Sequence, residues 1–178
     1  MHMMRILLLL WAGSLLWTSV AGADSDWDRA RSAHESGDYA AEVAIVRPLA
    51  EQGSAYAQFN LGVLYDNGQG VPQNDALAMQ WYQKAAEQGL SQAQVNLAIM
   101  YREGQGLPPD PVRAYFWFAL AESQGDWQAP RAKTALARQM TPPQVEDAER
   151  QVQEWLATHT FSIPPLPEPD PRTLQGNR

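Results

Sequence analysis

The chain has 178 residues, a formal net charge of −7 and no cysteine. The acidic balance argues against nucleic acid or an anionic lipid surface as the main ligand, because neither would be attracted to it. Without cysteine there is no disulfide, no thiol nucleophile and no cysteine-based metal site, so stability must come from packing.

The first 23 residues have the pattern of a secretory signal peptide. Arg5 gives a positive start, residues 6–20 are apolar, and small residues at 21–23 form a cleavage site before Asp24. The apolar run is short for a membrane span, so an uncleaved N-terminal anchor is the less favoured alternative. We expect an exported protein, periplasmic or secreted, with no membrane insertion after cleavage.

Residues 25–53 are predicted to form a degenerate first pair of helices, over 25–35 and 38–52, joined by a tight turn at Ser36 and Gly37. Pro48 lies inside the second helix, where it is predicted to kink the helix or end its regular hydrogen bonding.

Residues 54–89 and 90–125 are two ungapped copies of one 36-residue unit. A fixed period of this length is typical of a solenoid, in which each unit must stack on its neighbours to bury its apolar face. The identical pairs include Ala57/Ala93, Gln58/Gln94, Asn60/Asn96, Leu61/Leu97, Tyr65/Tyr101, Gly68/Gly104, Gly70/Gly106 and Trp81/Trp117.

Each copy predicts two helices separated by a turn of the form Gly-Gln-Gly-x-Pro. The turns follow helices, whereas a dinucleotide-binding glycine motif follows a strand, so they are not phosphate sites. The helices are expected over 54–67, 74–88, 91–103 and from 110 onward, with Ser54, Asn74, Ser91 and Asp110 as caps.

Two further helices are expected after the second copy, over 126–138 and 141–158. Thr141 caps the last one, with Pro142 at its first position. The predicted organisation is therefore a signal peptide at 1–23, a helical repeat domain at 24–158 and a Pro-rich, disordered tail at 159–178.

The string AQFNLGVLYDNGQGV at 57–71, followed by Ala78, Trp81-Tyr82 and KAAEQG at 84–89, resembles the Sel-one-like repeat, a relative of the tetratricopeptide repeat. Ala98 replaces a usual Gly and Pro111 interrupts the usual acidic-aromatic helix start, and both departures leave the fold unchanged. The resemblance implies an all-α, right-handed solenoid of about four helix pairs, with two well-formed repeats flanked by degenerate ones. It also implies a scaffold for other proteins, in bacteria often in the periplasm.

No catalytic set is visible in the sequence. His34 and His159 lie near opposite ends of the exported chain, and the expected state of each is a solvated or capping residue. No zinc-protease, nucleophile-elbow or P-loop motif occurs, and the carboxylates are dispersed. We therefore expect no enzyme activity, no cofactor and no metal, with a hydrolase as a remote third possibility.

Partner binding is expected on the concave face, which the first helices of successive units line in tetratricopeptide-like arrays. Asn60 and Asn96 lie one period apart, and their amides would clasp an extended peptide unless they bond neighbouring helices instead. Trp81 and Trp117 are expected in the core. The candidate binding residues are Tyr56, Phe59, Asn60, Val63, Gln92, Asn96, Ile99 and Arg102.

The leading hypothesis is an adaptor that binds a protein or peptide in the bacterial cell envelope through this concave groove. The alternative is a cell-wall glycan-binding or glycan-processing accessory factor, with surface Trp27 and Trp127 as sugar-stacking platforms. A basic run at 131–138 is expected either to meet an acidic partner or to be a solvated face paired with Glu146 or Glu149.

Overall fold

The computed structural model describes residues 26–161, which form eight helices and no strand. The predicted signal peptide and most of the predicted tail lie outside these residues. The helices are α1 (26–36), α2 (Tyr39–Glu51), α3 (Ala55–Asn67), α4 (Asp75–Glu87), α5 (Ser91–Glu103), α6 (Pro111–Ser123), α7 (Ala129–Ala137) and α8 (Pro142–Thr158).

Three of the four helix caps predicted in the two repeats are confirmed. Ser54, Asn74 and Asp110 each accept a side-chain hydrogen bond from the backbone N–H of the residue three positions later. The donor–acceptor distances are 3.4, 2.9 and 3.0 Å. Gly68 and Gly104 end α3 and α5 in the left-handed conformation, with φ of 66° and 75°. These local signals act within one turn, which is why the sequence alone locates them.

Pro48 does not end its helix, although the sequence predicts either a kink or an end of regular hydrogen bonding at this residue. The helix α2 continues through Pro48 to Glu51. A proline at this position removes the N–H that would bond the carbonyl of Ala44. Both Pro48 and Ala44 are exposed, so water can hydrogen-bond the carbonyl of Ala44. The helix therefore loses one hydrogen bond without leaving a buried polar group unpaired.

One predicted helix cap and one predicted helix start are wrong. Leu90, not Ser91, occupies the cap position of α5, because it is the residue one period after Ser54. Helix α7 begins at Ala129 and not at 126. Asp126 lies before this helix, where its carboxylate accepts the backbone N–H groups of residues 128 and 129 at 2.9 Å each.

The glycine loops join each unit to the one before it. A side chain at Gly70 would lie 2.3 Å from the carbonyl oxygen of Tyr39, and one at Gly106 would lie 3.1 Å from Cβ of Asp75. Tyr39 and Asp75 begin α2 and α4 and are themselves one period apart. The second glycine of each loop therefore permits a close contact between successive units, in addition to a positive φ of 68° or 73°.

Consecutive helices from α2 to α7 pack against one another and share a continuous core. Trp117 is buried, and Trp81 packs against the core with the ammonium of Lys84 3.9 Å from its ring centroid. Both tryptophans thus contribute to packing, as the helical spacing predicts.

Buried amides connect the units. Gln58 and Gln94 each donate to a backbone carbonyl of the preceding helix, at 3.1 and 3.0 Å. The amide of Gln88 also donates to Oε1 of Gln58 at 2.7 Å. One period later Gln124 bonds the hydroxyl of Ser123 instead, and Oε1 of Gln94 has no partner within residues 26–161.

The last two helices both pack on α6. Tyr115 on α6 donates to Glu149 on α8 at 3.0 Å, and its burial together with this bond raises the tyrosine pKa to about 12. The predicted pairing of the basic run is wrong in detail, because Lys133 pairs with Glu122 on α6 and not with either predicted glutamate.

Candidate functional site

The first helices of three successive units, α1, α3 and α5, line a groove of about 380 Å³. Its walls carry the aromatic side chains of Trp27, Tyr56 and Phe59, each half-buried and packed against the core. The ring of Phe59 lies 5.8 Å from that of Tyr82 on α4, which holds the wall in place. The groove therefore has a fixed, partly exposed apolar lining.

Polar groups converge on the same groove. Asn60 on α3 and Gln92 on α5 each present an amide, which carries both a donor and an acceptor. Within the described residues, neither side chain has an inward hydrogen bond, since Gln92 contacts only the hydroxyl of its neighbour Ser91 at 3.4 Å and Asn60 has no partner. These amides are available to a ligand.

A buried carboxylate reaches the groove from the second helix of the first unit. Glu42 is 5% exposed, and its Oε2 lies 2.9 Å from Nδ1 of His34 on α1. The ring of His34 also packs edge-on against that of Tyr39, at 5.8 Å. His34 is therefore paired with an acid, while 56% of its side-chain surface remains exposed to solvent.

The His34–Glu42 pair was not predicted from the sequence, although one signal for it is present. Glu42 lies four and eight residues before Val46 and Ala50, which are both buried, so an acid occupies the apolar stripe of α2. An acid at such a position requires a partner, and the tight turn before α2 places His34 within reach.

The structure brings five of the eight candidate residues to the groove. These are Tyr56, Phe59, Asn60, Val63 and Gln92. The other three lie elsewhere: Ile99 packs against the core, Arg102 is exposed and pairs with Glu103 at 2.6 Å, and Asn96 approaches the hydroxyl of Tyr82.

Asn60 and Asn96 are equivalent in sequence but have different surroundings. The Tyr82 hydroxyl lies beside Asn96 and donates to Asp66 at 3.1 Å, and burial raises the pKa of this tyrosine. The position one period before Tyr82 holds Val46, which offers no polar atom to Asn60. The amide of Asn60 is consequently directed to the groove, whereas that of Asn96 contributes to the contact between α4 and α5.

A second concavity, of about 430 Å³, lies where α8 crosses α6. Its aromatic rings are already engaged with one another, since Trp155 stacks on His159 at 3.8 Å and meets the rings of Phe116 and Trp117 edge-on at 5.8 and 6.1 Å. Self-packed rings of this kind close the end of the solenoid, so the groove is the better candidate for a binding site.

The surface tryptophans of the glycan hypothesis differ in exposure. Trp127, before α7, is 82% exposed. Trp27 is half-buried in the groove wall instead of forming an open platform. Among residues 26–161, no cluster of histidine, aspartate and glutamate is arranged to hold a metal ion, and no helix is both long and apolar enough to cross a membrane.

Residues 55–90 and 91–126 each match the family model of the Sel1 repeat. The chain is a Sel1-like repeat protein. The matched segments coincide with the helix pairs α3–α4 and α5–α6, and the all-α solenoid predicted from the repeat is confirmed. Sel1 repeats in general mediate contacts between proteins and are typically scaffolds without enzyme activity.

Two solved Sel1-like structures are similar to this protein. One is a protective antigen present in uropathogenic Escherichia coli strains, with an SLR fold, a TM-score of 0.71 and 26% identity over 82% of this chain. The other is a Sel1 repeat protein from Oxalobacter formigenes, with a TM-score of 0.58 and 29% identity over 71% of this chain. The chain spans only 35% and 54% of the lengths of these two proteins. No curated protein matches it.

Proposed function

We propose that this Sel1-like protein is an exported adaptor that binds a protein or peptide of the bacterial cell envelope in the groove between α1, α3 and α5. The observation that carries the proposal is the convergence of three aromatic side chains and two amides, those of Asn60 and Gln92, on one groove. The role of Sel1 repeats in protein contacts supports it.

The groove chemistry suits an extended polypeptide. Apolar side chains of the partner would gain about 25 cal/mol per Å² of area removed from water against Trp27, Tyr56 and Phe59. The amides of Asn60 and Gln92 would exchange hydrogen bonds with its backbone, which an extended strand leaves unpaired. No reaction chemistry is required of these residues.

Photo-crosslinking tests the site in cells. A benzoylphenylalanine at Tyr56, inside the groove, should give a discrete crosslinked partner in envelope fractions. The same residue at the highly exposed Trp127 is the matched control and should not give that product. Equal crosslinking from both positions, or none from Tyr56, would show that the groove is not the binding surface.

Export is tested separately by mass spectrometry of the protein purified from the periplasm. We expect a chain that begins at Asp24. A full-length chain retained in the inner membrane would contradict the proposal that residues 1–23 are removed.

The two asparagines separate binding from stability. Asn60→Ala should weaken partner capture while leaving the melting temperature nearly unchanged, because its amide has no partner within residues 26–161. Asn96→Ala should lower the melting temperature, because its amide lies beside the buried Tyr82 hydroxyl. If Asn60→Ala lowers both quantities as much as Asn96→Ala does, Asn60 belongs to the scaffold.

The glycan hypothesis is supported by one observation, the 82% exposure of Trp127. An exposed indole is a suitable stacking surface for a sugar ring. Sedimentation with purified peptidoglycan, compared between the native chain and Trp127→Ala, tests it. Sedimentation that does not depend on Trp127 removes this candidate.

A further inference from the structure

The segment that follows Phe161 has the composition of a groove ligand. Residues 162–178 contain five prolines, and the sequence Ile-Pro-Pro-Leu-Pro at 163–167 includes two prolines separated by two residues. We propose that residues 162–178 bind in cis, as an extended polyproline-type ligand, in the groove between α1, α3 and α5. The proposal uses the groove of the proposed function but not its partner.

The last described residue brings the segment to the edge of the groove. Phe161 packs on the turn between α4 and α5, where any side chain at Gly89 would overlap its ring. Gln92, three residues after Gly89, lines the groove. Because successive Cα atoms are about 3.8 Å apart, the Gly89 and Gln92 Cα atoms are separated by no more than about 11 Å.

The segment is long enough to cross the groove. Its 17 residues would span about 50 Å as a polyproline helix, which rises about 3.1 Å per residue. The groove runs from α5 across α3 to α1, and one helix intervenes between each of these and the next. At about 8–10 Å for each packed pair of helices, the distance from α5 to α1 is no more than about 40 Å. The segment is therefore long enough to cross the groove.

The groove has the chemistry that recognises such a ligand. Polyproline segments bind in grooves lined by aromatic residues, and Trp27, Tyr56 and Phe59 provide that lining. The carbonyls of a polyproline helix have no internal hydrogen bonds, so the amide of Asn60 can donate to them. Arg31, also in the groove, pairs with Asp28 at 3.2 Å but keeps 44% of its side-chain surface exposed, and the segment contains acids at 168 and 170.

The tether favours the cis complex. A short linker gives an effective concentration of about 1 mM, so a contact whose dissociation constant is below about 1 mM would fill the groove most of the time. An envelope partner must then displace residues 162–178, and its apparent affinity falls in proportion to the fraction of open grooves.

The chain has no cysteine, so one engineered cysteine carries a spin label without interference. The test uses Thr173→Cys in the chain from residue 24, which retains every described residue, and records amide NMR signals with the nitroxide oxidised and reduced. We expect selective broadening at Tyr56, Asn60 and Val63. Signals of α7, which packs on α6 and contributes no residue to the groove, serve as the reference.

A second variant checks that the segment is held by its apolar residues. Ile163→Ser with Leu166→Ser, carrying the same label, should restore the groove signals to the level of the α7 reference. Groove signals that are never broadened, or that stay broadened in this variant, overturn the proposal.

A mixed sample separates cis from trans binding. Labelled chains without isotope are mixed with unlabelled isotopic chains, and the groove signals should stay sharp. Broadening in the mixture would show that the segment binds a second copy, which overturns the cis proposal. The photo-crosslinking at Tyr56 is independent, so a failed cis contact and a failed adaptor function give different results.

Discussion

Gly62 and Tyr82 offer the sharpest test of how the repeats pack. A Cβ at residue 62 would lie 2.7 Å from both Cδ1 and Cε1 of Tyr82, a ring with no exposed surface. The ring cannot swing away freely, because its hydroxyl is bonded to Asp66 at 3.1 Å. One period later the same two positions hold Ala98 and Phe118, both fully buried, where the ring has no hydroxyl to tether it.

The expected effect of Gly62→Ala is the difference between two opposing free energies. Alanine in place of glycine inside a helix stabilises by about 1 kcal/mol. Overpacking of a dense core costs about 1–3 kcal/mol, so the substitution should destabilise by about 1 kcal/mol. For a chain of this size that corresponds to a fall in melting temperature of about 2–4 °C.

A double-mutant cycle measured by urea unfolding checks the mechanism. In the Tyr82→Phe background the ring is released from Asp66, so Gly62→Ala should cost less than in the native chain and can become stabilising. The reasoning is refuted if Gly62→Ala stabilises the native chain by the full helix-propensity gain. It is equally refuted if the cost is the same in both backgrounds.

Three further predictions concern the joints between units. Gly70→Ala should lower the free energy of urea unfolding by more than about 2 kcal/mol, because the new side chain meets both a positive φ and a clash with the preceding unit. Gly37→Ala is the control: its φ is also positive but nothing lies within contact distance, so it should cost about 1 kcal/mol. Gln88→Ala should lower the free energy of unfolding by about 1–2 kcal/mol, because the buried amide of Gln58 loses its hydrogen-bond donor. Gln124→Ala, which removes only a bond to the neighbouring Ser123, should cost less than about 0.5 kcal/mol. Equal effects would disprove the role of Gln88 in joining the units. The pKa of Tyr115 is about 12 in the folded state and 10.0 in the unfolded state. The free energy of unfolding should therefore fall as the pH rises from 10 toward 12, because only the unfolded chain ionises in this range. Alkaline unfolding followed by circular dichroism should show a smaller loss of stability for Tyr115→Phe, and an unchanged loss would contradict the assignment.

Helix positions were predictable wherever a local signal defines them. Ser54, Asn74 and Asp110 cap their helices by bonds to residues three positions away, and the glycines at 68 and 104 end theirs. At Pro48 and Ser91 the local preference did not decide the structure. The helix continues through Pro48 because the carbonyl that loses its hydrogen bond is exposed to water, and Leu90 takes the cap position instead of Ser91 because the 36-residue period places it there.

The groove was predictable only in part. The repeat predicts which helices face the concave side, and it placed Tyr56, Phe59 and Gln92 there. The repeat pattern makes Asn60 and Asn96 equivalent. Asn96, however, lies beside the hydroxyl of Tyr82, and the position one period before Tyr82 holds Val46, which has no polar side-chain atom.

The sequence by itself determined the repeat length, the helix pairs and their turns, because caps, glycines and apolar spacing act over a few residues. Only the tertiary structure decided which side chains meet: Glu42 with His34, Lys133 with Glu122, and α8 on α6. These partners come from different helices, and their distances depend on how the helices stack. The spacing of residues along the sequence carries no information about such distances.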